Sequence, residues 1–198
     1  MSKYLDFVKI FEKAVLQAKR DLDDIELIAV SKKKPPELIR EAIYNGCQSF
    51  GENQLQEVET KWIKLKKEFP KTKLHFVGNI QSKKTEKIFQ YCDVIHSVDR
   101  EKIVQKLKQS EDEYKLKKEY FVQVNTGNEP QKSGIPLEKS EVFIDKCINE
   151  HNLNVKGLMC IPPQNINPEK FQKIKILMFF LSGKKMSMNL LKIYLERP

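Results

Sequence analysis

The residue with the clearest chemical potential is a lysine. Ile25-Glu26-Leu27-Ile28-Ala29-Val30 is a short, mostly apolar run, and Ser31-Lys32 follows it directly. Such a run, closed by lysines and by Pro35-Pro36, predicts a buried strand over 25–31. Lys32 then stands at the strand's carboxyl end, where parallel α/β folds build their sites. An amine partly withdrawn from water sheds its proton more readily and can attack an aldehyde to form an imine. The competing reading makes Lys32 the first of a solvated triplet with Lys33 and Lys34. On this residue alone the solvated reading is favoured.

Other strands close on polar groups too. Gly51-Glu52-Asn53 ends the second, Gly78-Asn79 the third and His96-Ser97 the fourth. Gln123-Val124-Asn125 ends the fifth and Gly157-Leu158-Met159 the sixth. In a parallel barrel such ends meet at one face. Each alone is a loop or turn residue; jointly they favour a site. His75 and His96 fall inside apolar strands and read as core residues, with no third metal ligand at convincing spacing. His151 reads as a solvent-exposed turn residue, and Asp99 as the cap of a following helix. No Ser/His/Asp triad, Walker-type phosphate loop or dinucleotide glycine fingerprint is present.

The elements that must position these groups alternate. Tyr4, Phe7, Val8, Phe11, Ala14 and Val15 recur at helical spacing over 3–19. After the first strand, Pro35-Pro36 opens a helix that Gly46 ends. Strands follow over 48–53, 74–79, 93–98, 119–125 and 155–161, with helices over 54–69, 83–91, from Asp99 onward, 137–150 and 169–181. Strands this short and apolar predict a parallel sheet buried on both faces. The order predicts an α/β fold: a TIM-type (β/α) barrel with an extra N-terminal helix, stopping after about six of the eight units that close such a barrel. Residues 1–198 then form a single domain lacking units seven and eight, and a sheet cut there has two bare edges.

Composition narrows the function. The chain has 198 residues, 32% of them charged, and a net charge of +9. Its lysines are interleaved with glutamates along helical segments, which predicts a solvated surface rather than a nucleic-acid stripe. Cys47, Cys92, Cys147 and Cys160 are at least thirteen residues apart, so no knuckle or redox pair arises. Free thiols, no secretory leader and no run near the ~20 apolar residues of a membrane span predict a cytoplasmic, non-membrane protein.

The motifs together resemble a known family. Ala29-Val30-Ser31-Lys32, Phe50-Gly51-Glu52-Asn53 with Gln56, and His75-Phe76-Val77-Gly78-Asn79-Ile80-Gln81-Ser82-Lys83 are three of them. His96-Ser97-Val98-Asp99-Arg100, Gln123-Val124-Asn125 with Glu129 and Lys132-Ser133-Gly134, and Gly157-Leu158-Met159 are three more. In this order they resemble the pyridoxal phosphate homeostasis proteins, single-domain relatives of the alanine racemase barrel. The resemblance covers about residues 20–180. It implies pyridoxal 5′-phosphate held as a Schiff base on Lys32, with Asn53 nearby, Met159 near the ring, and Asn79 and Ser187 as further contacts. It implies a monomeric carrier or regulator of the cofactor without robust turnover, binding a small molecule and neither nucleic acid nor membrane. The alternative is a racemase of the same fold, which needs a second acid–base residue opposite Lys32.

The chain also departs from the family pattern. Asn79 stands where the family usually has histidine. The family continues with Ser-x-Gly-Met-Ser-x-Asp and then Arg-x-Gly-Thr-x-x-Phe-Gly, which supply much of the phosphate cup and the partner of the pyridine nitrogen. Here Ser187-Met188 matches part of the first, Asn189 replaces its glycine, and the second is absent. Losing about three charge-assisted bonds of roughly 1.5–3 kcal/mol each would weaken cofactor retention more than about a thousandfold. Nucleic-acid binding from the net charge ranks last.

Overall fold

The computed structural model describes residues 3–127 and 129–161 with their side chains, and the backbone of 191–195. The helix expected over 169–181 and the Ser187 position lie outside these residues. The chain divides into two compact units, 1–75 with 189–198, and 76–188.

The first unit opens with helix α1 (Lys3–Gln17) and leads through a short 3-10 turn into strand β1 (Ile25–Val30). Pro36 occupies the first turn of α2 (Pro36–Tyr44), where its missing N–H costs nothing. Gly46 follows the helix at φ +94°, a left-handed position that suits glycine. Strand β2 (Ser49–Glu52) is buried throughout and runs parallel to β1, with Ala29 opposite Phe50 and Val30 opposite Gly51. The helix expected over 54–69 is three pieces: α3 (Leu55–Glu57), a π turn (Val58–Trp62) and α4 (Ile63–Glu68). Strand β3 (Lys73–Phe76) follows and stops three residues short of Asn79.

The core of this unit is apolar and closely filled. Ile28, Ile39, Phe50, Val58, Trp62, Leu65 and Leu74 are at most 2% exposed. The Phe50 and Trp62 rings pack at 5.1 Å between centroids.

The second unit carries α5 (Thr85–Tyr91), β4 (Val94–Val98), α6 (Glu101–Tyr114), β5 (Glu119–Asn125), a two-residue strand β6 (Ile135–Pro136), α7 (Ser140–Asp145) and β7 (Val155–Met159). Strands β4, β6 and β7 all pair with β5 in parallel. The alternating order and the parallel pairing confirm the expected α/β class.

Three local expectations are corrected. Asp99 does not cap α6: Arg100 is the cap residue, and Asp99 instead receives the Arg100 guanidinium. His151 is not solvent-exposed: its side chain is 20% exposed and its Nε2 lies 2.7 Å from Glu101 Oε1. The β1 edge is not bare, since β8 (Leu191–Leu195) pairs with it in parallel from Ile25 opposite Leu191 to Ala29 opposite Leu195. The sequence Leu-Lys-Ile-Tyr-Leu is rich in strand-forming residues, which accounts for the pairing.

Candidate functional site

Lys32 follows β1 by two residues, and Asn53 follows β2 by one. Val30 and Gly51 are register partners, so Lys32 and Asn53 stand two residues beyond a matched pair on adjoining strands. Both are half-buried. The Asn53 Oδ1 atom is buried and accepts no hydrogen bond among the described residues. A buried amide oxygen without a partner carries a desolvation cost that a ligand donor would remove.

The backbone that carries Lys32 is held tightly. Ser31 N–H donates to the Gly51 carbonyl at 2.9 Å, which extends the β1–β2 ladder by one residue. Lys34 N–H donates back to the Ser31 carbonyl at 3.1 Å, closing a turn around Lys32. Lys33 sits at φ +56° in that turn, an uncommon conformation for a residue with a side chain. Its N–H donates to both Glu57 carboxylate oxygens, at 2.8 and 3.1 Å.

Behind the turn lies a buried ionic cluster. Glu52 is fully buried, and its Oε1 accepts from Ser31 Oγ at 2.7 Å and from Trp62 Nε1 at 3.2 Å. Lys61, 9% exposed, places its Nζ 2.8 Å from Glu52 Oε1 and 2.6 Å from Glu57 Oε2. The same Nζ donates to the Ser31 carbonyl at 2.8 Å. Burial works against ionisation of Glu57, but the Lys61 ammonium and the Lys33 N–H outweigh it and hold its carboxyl below the usual carboxylate range.

In the second unit, Asn79 lies in an exposed loop rather than at a strand end, and its Nδ2 donates to Ser133 Oγ at 2.9 Å. Gln123 Nε2 donates to the Ser133 carbonyl at 3.2 Å. Asn125 ties down the same loop, donating to the Glu129 carbonyl at 2.9 Å and accepting from Glu129 N–H at 3.2 Å. Met159 is the last residue of β7 and is 5% exposed. Asp99 is largely buried; that burial raises its carboxyl pKa despite the adjoining Arg100 guanidinium.

His75 and His96 are fully buried, and His96 stacks on Phe121 at 4.4 Å. Among the described residues, no three His, Cys, Asp or Glu side chains gather to hold a metal ion. Sequence reasoning had no role for Glu57 or Lys61. The available signal was their spacing of four, which puts opposite charges on one helix face next to a tryptophan.

Known proteins are similar to this chain in sequence and in fold. Residues 11–187 match the family described as alanine racemase, N-terminal domain. A pyridoxal phosphate homeostasis protein of Vibrio alginolyticus is 36% identical over 166 residues, covering 80% of this chain and 70% of that protein. The chain belongs to this family. A pyridoxal phosphate homeostasis protein of Vibrio cholerae is likewise 36% identical, over 76% of this chain and 65% of its own length. The structure of PipY from Synechococcus elongatus with PLP bound superposes with a TM-score of 0.73 at 28% identity, covering 85% of this chain and 79% of that one. The expected (β/α)-barrel class is therefore the fold of a solved relative. No described helix is long and apolar enough to cross a membrane.

Proposed function

We propose that this chain binds pyridoxal 5′-phosphate and serves in its homeostasis, with Lys32 holding the cofactor as a Schiff base and no robust catalytic turnover. The observation that carries the proposal is the placement of Lys32. The half-buried Lys32 stands just past β1, one strand away from a buried amide oxygen that lacks a partner among the described residues. Relatives named for this function and a relative with PLP bound support the same reading.

The residues present fit the cofactor in chemical type. Lys32 supplies the amine that reacts with an aldehyde. Asn53 supplies a buried acceptor, and Met159 an apolar surface of the kind an aromatic ring packs on. Asn79 and Ser187 remain assigned as further contacts. The cofactor itself supplies a reactive aldehyde and an electron-withdrawing ring. The chain's part is to orient the amine, shield it from water and release the cofactor again. Residues 1–198 act as one cofactor-binding domain, as a monomer in the cytoplasm, without nucleic acid or membrane as partner.

The test adds pyridoxal 5′-phosphate to the full chain, removes the excess by gel filtration and follows visible absorbance with the protein peak. An absorbance band with the protein, together with amino-acid racemisation at the uncatalysed rate, supports the proposal. Racemisation clearly above background would replace the carrier with an enzyme.

A further inference from the structure

The Lys61 ammonium is buried beside the turn that carries Lys32, and the net worth of a buried ion pair for stability is commonly small. Its contacts therefore call for another explanation. Nζ reaches Ser31 O at 2.8 Å and Lys34 O at 3.4 Å, the residue before Lys32 and the second residue after it. Glu57, which pairs with Lys61 at 2.6 Å, binds the amide of Lys33, the residue immediately after. One lysine and its partner thus clamp the backbone on both sides of Lys32.

The turn needs such a clamp. Lys33 occupies the left-handed region at φ +56°, a conformation that persists only where surrounding contacts impose it. Glu57 supplies two of those contacts directly. The clamp itself is aimed by a local irregularity. Lys61 lies in the π turn Val58–Trp62, and Val58, Lys61 and Trp62 are all buried. A π turn inserts one residue into the helix and so rotates the residues after it. Trp62 and Ser31 fix Glu52, which balances the charge of Lys61 from the other side.

We propose that Lys61, together with Glu57, is a positioning residue for Lys32: the pair holds the Ser31–Lys34 turn so that the Lys32 amine is presented past the end of β1. The inference rests on the cofactor reading of Lys32. The pair touches the backbone of the turn and performs no chemistry on the ligand.

The experiment uses the full chain and four variants: Glu57→Gln, Lys61→Arg, Lys61→Met and, on the exposed face of the same helix, Lys64→Gln. Glu57→Gln keeps the shape and removes only the charge, so it reports even if Lys61→Met unfolds. Two readouts are taken. Hydrogen exchange of the amides of residues 31–34 is measured without cofactor, and the pH profile of pyridoxal 5′-phosphate capture is measured by absorbance. Glu57→Gln should speed exchange of the Lys33 amide and slow capture, each about tenfold, the effect of one weakened charge-assisted hydrogen bond. Its capture profile should also shift in pH, which a general loss of stability would not produce. Lys61→Arg should recover part of the loss seen in Lys61→Met, and Lys64→Gln should match the wild type. Wild-type rates and pH profile in both Glu57→Gln and Lys61→Met would overturn the positioning role alone. Failure of the wild type to capture cofactor on Lys32 would overturn the cofactor reading and this role with it.

Discussion

The Lys61 ammonium donates to the Ser31 carbonyl oxygen at 2.8 Å, thirty residues away in sequence. This contact ties the helical layer of the first unit to the residue before Lys32. A buried ammonium needs its charge met nearby, and Glu52 and Glu57 meet it at 2.8 and 2.6 Å. The backbone on both sides of Lys32 is thus held by this network.

Acid should loosen the network. The Glu57 carboxyl is held below its unfolded value of 4.5, so its contribution is fully present above that pH and is lost as pH falls through the folded value. Urea midpoints of wild type and Glu57→Gln should therefore differ at pH 7 and converge toward pH 3. An equal gap at both pH values would show that the Glu57 charge contributes nothing to folding.

Trp62 joins packing to charge. It is 1% exposed, packs against Phe50 with the rings tilted by 51° and donates to Glu52. Trp62→Ala should cost about 3–5 kcal/mol by opening a cavity. Trp62→Phe keeps most of the ring and should cost about 1 kcal/mol for the lost donor. Chemical denaturation separates the two, and equal losses would contradict the split between packing and hydrogen bonding.

Two glycines should respond differently to alanine. At Gly134, φ is +124° and an added Cβ would lie 2.7 Å from Asn125 N and 2.9 Å from Val124 C. At Gly46, φ is +94° with nothing within 4 Å. Gly134→Ala should cost about 3 kcal/mol or more, because backbone must move. Gly46→Ala should cost only about 1–2 kcal/mol of conformational strain. Melting curves of the two variants check the order, and the reverse order would refute it.

The thiols should label in sequence. Cys47, Cys92 and Cys147 are buried, and Cys160 is partly exposed. Burial pushes the Cys47 thiol up to about 11 and the Cys147 thiol up to about 12. At pH 8 about one Cys47 in a thousand is thiolate, the reactive form. Alkylation of the folded chain followed by mass spectrometry should modify Cys160 first. Early labelling of Cys47 would mean that its burial is transient.

Much of the fold is legible in the sequence, and the reasons are physical. Ile25–Val30 and Glu119–Asn125 are short apolar runs between turn signals, and both are strands. Pro36 and Gly46 mark the helix they bound. The π turn at Val58–Trp62 leaves no such mark, because periodicity assumes an uninterrupted helix. Lys61 therefore reads as one of four lysines, with Lys64, Lys66 and Lys67, on a solvated face. Strand β8 alternates apolar and polar residues in part, yet it escapes a reading that takes the last residues for a lost family motif. Strand β6 contains a proline and spans two residues, too little for any pattern. The positions of Lys32 and Asn53, just past β1 and β2, follow from the apolar runs before them. The clamp behind them depends on tertiary contacts thirty residues apart and has no local signature.

The most direct test of the account locates the cofactor on the chain. The 198-residue chain is incubated with pyridoxal 5′-phosphate, reduced with borohydride, digested and mapped by mass spectrometry, with Lys32→Ala treated in parallel. The account predicts one reduced cofactor per wild-type chain, on the peptide containing Lys32, and none on Lys32→Ala. Label on another lysine, or equal label on Lys32→Ala, would contradict it.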